Sequence, residues 1–137
     1  MTSAERSRIM RAVKSADTRP ELALRRALFA LGFRYRLHGR GLPGKPDVVF
    51  AATKSVIFVH GCFWHGHDCP RGRREPKTNA AYWRAKISRN RERDAETLAA
   101  LKRAGWRALV LWECELKDIT RASQRAAKWL AEARSAR

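Results

Sequence analysis

At 137 residues the chain can build one modest core but not two, and thirty Lys plus Arg against thirteen Asp plus Glu leave a formal charge of +17. That balance favours a polyanionic partner, nucleic acid first and an anionic membrane surface second. No apolar run approaches the roughly 20 residues of a membrane span, the N-terminus lacks the apolar centre of a secretory signal, and three cysteines do not make a disulfide framework. One soluble, intracellular domain with reduced thiols is expected.

Ser3 to Lys14 is basic and weakly amphipathic, with Ile9, Met10 and Val13 as its apolar members, and is expected as a helix or as part of an arm, residues 1–17, that its partner orders. Thr18-Arg-Pro-Glu21 matches a capping box, in which the Thr18 hydroxyl and the Glu21 carboxylate satisfy amides at a helix start. Leu24, Leu28 and Leu31 then share one helix face until Gly32 stops it. Residues 33–37 alternate apolar and basic side chains like an edge strand, and 39–46 carry loop punctuation with Asp47 at the end. The β-branched and aromatic runs at 48–50 and 56–59 predict two buried strands at the centre of a sheet.

The next segment, His60-Gly-Cys-Phe-Trp-His-Gly-His-Asp-Cys69, holds three imidazoles, two thiols and two adjacent aromatics. A basic loop follows at 71–77. Asn79 is placed to cap a long helix reaching about Ala104, with Gly105 as its stop. Residues 106–112 predict a further strand, also central. Ile119, Ala122, Ala126, Trp129, Leu130 and Ala133 recur at helical spacing, so a C-terminal amphipathic helix covers the sheet. The fold class is therefore α/β.

Cys62, His67 and Cys69 offer three zinc ligands from one turn, and Cys114, just past the last strand, can complete a closed and hence structural tetrahedral site. The plainer alternative is free cysteines, with Cys114 a small buried apolar residue. Asp47 at a strand mouth suits a hard divalent cation, although Pro-Asp is also a common loop dipeptide. His60 and His65 remain for proton transfer to or from a water attacking a phosphodiester, or else one of them replaces His67 on the zinc. Glu21 stands equally well as a mere helix cap.

Phe63 and Trp64 are consecutive within a polar turn and do not both point inward, so at least one is expected at the surface, suited to wedging between base pairs. Between Arg71 and Arg93 nine basic residues face only two acidic ones, Glu75 and Glu92. Trp83, Lys86 and Asn90, at i, i+3 and i+7, present a stacking ring, a cation and an amide on one helix side.

Four motifs recur in order and spacing: Leu42-Pro-Gly-Lys-Pro-Asp47, Val56-Ile-Phe-Val-His-Gly-Cys-Phe-Trp-His65, Trp83-x2-Lys86-x3-Asn90-x2-Arg93-Asp94 and Gly105-Trp-Arg-x4-Trp-Glu-Cys114. Together they resemble the very-short-patch-repair (Vsr) DNA mismatch endonucleases, from about Arg6 to Cys114, with no signature in the final helix. The resemblance implies a restriction-endonuclease-like mixed sheet flanked by helices, and nicking 5′ of the thymine in a T:G mismatch left by deamination of 5-methylcytosine. It implies that Asp47 and the Val59 carbonyl bind magnesium, that His65 acts on the attacking water supported by His60 and Glu21, and that Cys62, His67, Cys69 and Cys114 hold structural zinc. Phe63, Trp64 and Trp83 resemble an intercalating trio from the major groove, Met10 a residue entering from the minor groove, and Lys86 and Asn90 residues near the mismatched pair.

Two departures from the family pattern stand out. Val59 occupies a position where threonine is common, and Gly66 and Asp68 interrupt what is often a longer histidine run. The Glu-x-Lys of the wider nuclease superfamily is absent, with Phe58-Val-His60 near its place. The expectation is a monomeric, magnesium-dependent nicking endonuclease of the nucleoid-bearing cytoplasm, acting on mismatched duplex DNA and working beside mismatch-repair factors. Its rivals are a nuclease of the same fold with another target and a non-catalytic zinc-stabilised DNA-binding protein.

Overall fold

A computed structural model describes residues 18–39, 41–70, 72–73 and 77–135; Met10 and the expected arm at 1–17 lie outside them. Helix α1 spans Arg19–Ala30, beginning where the Thr18 side chain accepts the Glu21 N–H and a proline sits in the first turn. Leu24 and Leu28 are fully buried, whereas Leu31, expected on the same face, is the C-cap and is 53% exposed. Gly32 takes φ +95°, as a helix stop requires.

The expected edge strand shrinks to β1, Arg36–Leu37. Phe33 and Tyr35 turn onto the core, both rings meeting Phe50 edge-on, and the Tyr35 hydroxyl donates to the Arg25 carbonyl at 2.9 Å. Core packing of two rings thus takes precedence over strand pairing. β2 (Val48–Phe50) and β3 (Ser55–His60) are the central strands, as their composition predicts. The sheet order is β1-β2-β3-β4, antiparallel except for the parallel pair of β3 with β4, Arg107–Trp112. β4 is therefore an edge strand and not the central one expected; its apolar composition reflects coverage on both faces by helices.

Successive residues of β3 serve opposite layers. Ile57 and Val59 face a core shared with α1 and with the C-terminal helix α3 (Ile119–Ser135), through Leu24, Leu28, Ala122, Ala126 and Leu130. Val56 and Phe58 face the crossover helix α2 (Ala80–Arg103) at Leu101. The result is a mixed four-stranded sheet between helices, an α/β architecture. Asn79 does precede α2, but in a left-handed conformation (φ 58°, ψ 38°) and without a side-chain cap; its carbonyl accepts the Trp83 N–H instead. None of the described helices is long and apolar enough to cross a membrane.

The loop leading to Asp47 leans on α2. Gly44 has φ +74°, and a Cβ there would fall 2.4 Å from Thr97 Cγ2. Gly44→Ala should therefore destabilise the fold by about 1–3 kcal/mol, read as a lower denaturant midpoint. An unchanged midpoint would show that the loop does not depend on this close approach.

Candidate catalytic and metal centres

Asp47 sits just before β2 and is locked to β3 twice: its N–H donates to the Ile57 carbonyl at 3.1 Å, and its Oδ2 accepts the Val59 N–H at 2.6 Å. Antiparallel pairing thereby carries a loop carboxylate to the C-terminal end of β3. Burial raises its pKa from 3.8 to about 7; the Val59 N–H opposes the shift, while the neighbouring Glu21 carboxyl adds to it by charge and by a hydrogen bond, and Arg25 eases it slightly. Glu21 is itself buried, so what reads in sequence as half of a capping box also places its carboxyl against Asp47. The buried Glu21 carboxyl and the half-buried Asp47 carboxyl together form a site whose hard oxygen donors fit a divalent cation. Of the Val59 backbone, the bond to Asp47 engages the N–H.

One residue beyond Val59, His60 leaves the sheet on the α2 side. Its ring stacks on His65 with centroids 3.8 Å apart and planes 5° from parallel. His65 Nδ1 lies 2.6 Å from Asp94 Oδ2, and His60 Nδ1 lies 4.0 Å from the same oxygen. Although these three side chains cluster like a metal site, parallel rings direct their in-plane lone pairs side by side, not onto one ion. The geometry suits proton handling: the carboxylate orients the His65 ring. Burial, followed by the charge of His65, lowers the His60 pKa from 6.5 to about 4 against the pull of Asp94, so His60 stays neutral around pH 7.

Asp94 has no assigned role in the residue-by-residue reading of the sequence, yet it completes this group. A signal was present: Trp83, Lys86, Asn90 and Asp94 stand at i, i+3, i+7 and i+11, one continuous stripe of α2. Arg25, four residues after Glu21 and buried near Asp47, is a second such residue, and its helical spacing from Glu21 is the signal for it.

Cys62, His67, Cys69 and Cys114 converge with all ligand atoms within 4.8 Å of one another. Cys114 Sγ and His67 Nδ1 are 3.5 Å apart, against about 3.5–3.8 Å for the edge of a tetrahedron around a zinc-sized ion. Among the described histidines, His67 is the one in this cluster, while His60 and His65 belong with Asp94. Backbone N–H groups of Cys114 and Gly72 point at the sulfurs of Cys62 and Cys69, at 3.4 and 3.3 Å, as donors that favour thiolates. Without an ion the thiols crowd one another, and burial above all pushes Cys62 up to about 12. The donor set therefore fits a soft or borderline cation. The His67 ring is braced from behind by Trp112, stacked at 4.1 Å.

Phe63 and Trp64 lie in sequence between Cys62 and His65, one residue from each centre. Phe63, Trp64 and Trp83 meet edge to face, with centroids 5.2 to 5.9 Å apart, and Trp64 is 39% exposed. Lys86 Nζ lies 5.4 Å from the Trp64 ring and 5.6 Å from the Trp83 ring, and the Asn90 amide donates to the Trp64 carbonyl at 2.9 Å. Gly66 (φ +63°) lets the turn close on α2, since a Cβ would sit 2.8 Å from Ile87.

A family model described as DNA mismatch endonuclease Vsr matches residues 1–71. Among curated relatives, the type II nicking enzyme V.XorIIP of Xanthomonas oryzae pv. oryzae is 52% identical over 118 residues, 85% of this chain and 86% of the relative. The type II nicking enzyme V.NaeI of Lentzea aerocolonigenes is 48% identical over 126 residues, 88% of this chain and 75% of its own length. The DNA mismatch endonuclease Vsr of Escherichia coli is 42% identical over 114 residues, 83% and 72% of the respective chains.

Proposed function

Because the chain belongs to the Vsr family of DNA mismatch endonucleases and is a DNA endonuclease, we propose that its target is the T:G mismatch left by deaminated 5-methylcytosine, nicked 5′ of the thymine. The observation that carries this reading is the adjacency of an aromatic wedge to a proton-transfer group: Trp64 and His65 are consecutive, and the latter is paired with Asp94 at 2.6 Å. A T:G wobble is a weakened step, so an exposed wedge discriminates by the cost of unstacking while side chains on the same helix inspect the displaced edges. Phe63, Trp64 and Trp83 make that wedge, with Lys86 and Asn90 facing the mismatched pair and Met10 entering from the minor groove.

In the reaction, His65 takes the proton of the attacking water, and Asp94 stabilises the imidazolium that results. Neutral His60 stacks beneath it and leaves room for that single positive charge. Asp47, with the Val59 carbonyl, would hold a divalent cation, magnesium in the cell, with the Glu21 carboxyl beside it. Such a cation would supply stabilisation of the charge that develops on the scissile phosphate. Cys62, His67, Cys69 and Cys114 would hold zinc, which would supply rigidity and no chemistry. We infer a restriction-endonuclease-like core acting as one domain and as a monomer in the cytoplasm, at the nucleoid beside mismatch-repair factors.

The test is a nicking assay on T:G and T:A duplexes with randomised flanks, with magnesium present or chelated, followed by sequencing of the cut ends. The expected result is a magnesium-dependent nick 5′ of the mismatched thymine, with T:A cut roughly a hundredfold more slowly or worse. Equal cutting of both duplexes would replace the mismatch by another target; binding with no cutting would leave a DNA-binding protein without catalysis.

A further inference from the structure

Trp64 and His65 are joined by one peptide unit, and that unit is held at both ends. Its carbonyl oxygen accepts the Asn90 amide at 2.9 Å, and its N–H, that of His65, donates to the Gly61 carbonyl at 3.2 Å. One helical turn beyond Asn90, Asp94 takes the His65 ring at 2.6 Å, and one turn before it Lys86 lies over the Trp64 ring. Pinning both ends of this plane constrains ψ of Trp64 and φ of His65, the two torsions between their Cα atoms, and so restrains how the exposed indole and the imidazole are set relative to each other.

We propose that Asn90 is a positioning residue for the reaction: by fixing the 64–65 peptide plane, its amide couples the seating of the Trp64 wedge to the aim of the His65 ring, an inference that rests on the endonuclease reading above. The amide has capacity to spare. One N–H is used on the Trp64 carbonyl, and a second N–H and the carbonyl oxygen remain for a base edge. Asn90 thus touches the recognition element and sets the catalytic one without leaving its place on α2. Binding energy gained at the mismatch is then expressed as alignment of the His65 ring, the next residue along the backbone.

The test uses the full-length, zinc-loaded protein and two variants, Asn90→Ala and Asn90→Asp, the second keeping the shape while removing the donor. Imidazole and indole NMR shifts are recorded without DNA, and single-turnover nicking is measured at saturating T:G duplex. Coupling predicts shifted His65 and Trp64 resonances with Trp129 unmoved, and a nicking rate at saturation lowered by about ten- to a hundredfold. A residue that only reads base edges would leave the DNA-free His65 and Trp64 signals in place, and that result overturns the proposal. Shifted signals with an unchanged saturated rate overturn it as well. Failure of the wild-type protein to nick T:G DNA would instead remove the target assignment, and the DNA-free spectra would still decide whether Asn90 sets the peptide plane.

Discussion

Asp47→Ala should lower the rate of nicking by about a thousandfold or more while leaving affinity for mismatched duplex within a few-fold of wild type. The carboxylate lies at the mouth of β3, bonded to Val59 N–H at 2.6 Å and pressed against Glu21, where no described aromatic of the wedge depends on it. Undiminished turnover by the variant would dispose of the cation site. The protonation of Asp47 gives the same site a pH signature. With its pKa raised to about 7, chiefly by burial, a cation must displace a proton below that pH. Apparent magnesium affinity should therefore fall roughly tenfold per pH unit below about 7 and level off above it, as titration at pH 6 and 8 would read.

The same shift runs opposite to an ordinary salt-bridged aspartate. The folded, cation-free protein holds this proton more tightly than the unfolded chain does, so stability from Asp47 is intact below pH 4 and is lost as pH rises from about 4 to about 7. Asp47→Asn, which cannot ionise, should accordingly stabilise the cation-free protein at pH 8 by roughly 1–3 kcal/mol. Chemistry is here maintained against stability.

If the Cys/His cluster holds zinc as proposed, its removal should act on folding. Cys62→Ser, Cys69→Ala or a strong chelator should cost several kcal/mol, on the order of what structural zinc sites contribute, and metal analysis should find about one zinc per chain. The cluster ties the turn after β3 to the end of β4, residues more than fifty apart in sequence, through Cys62 and Cys114. Since Cys62 is pushed up to about 12 without an ion, binding must expel protons, and zinc should be lost progressively on acidification. A chelator-treated protein with an unaltered melting curve and no bound zinc would refute the assignment.

Much of this arrangement was legible in the chain. Local signals act over a few residues, and they located the helix start at Thr18, the stops at Gly32 and Gly105, and the paired strands around the turn at 51–54. The Cys/His cluster was legible because spacing within one turn limits what its ligands can reach. What failed depended on sheet order and on tertiary competition. The apolar pattern of 107–112 records burial on both faces but not which strand lies beyond, so the edge position of β4 was invisible. Asp94 was missed because its partner lies 29 residues away, and helical phase alone does not say which face of α2 meets the turn.

Helix α2 serves both centres and the loop that delivers Asp47: Ile87 under Gly66, Asn90 on the 64–65 peptide, Asp94 on His65 and Thr97 under Gly44. These footholds climb one side of a cylinder on which each added residue turns all later ones by about 100°. Point replacements between 86 and 97 thus alter single footholds, whereas insertion or deletion of one amino acid there would carry every subsequent one around to the wrong side. Descendants of this chain can vary the lettering of that stretch far more freely than its length.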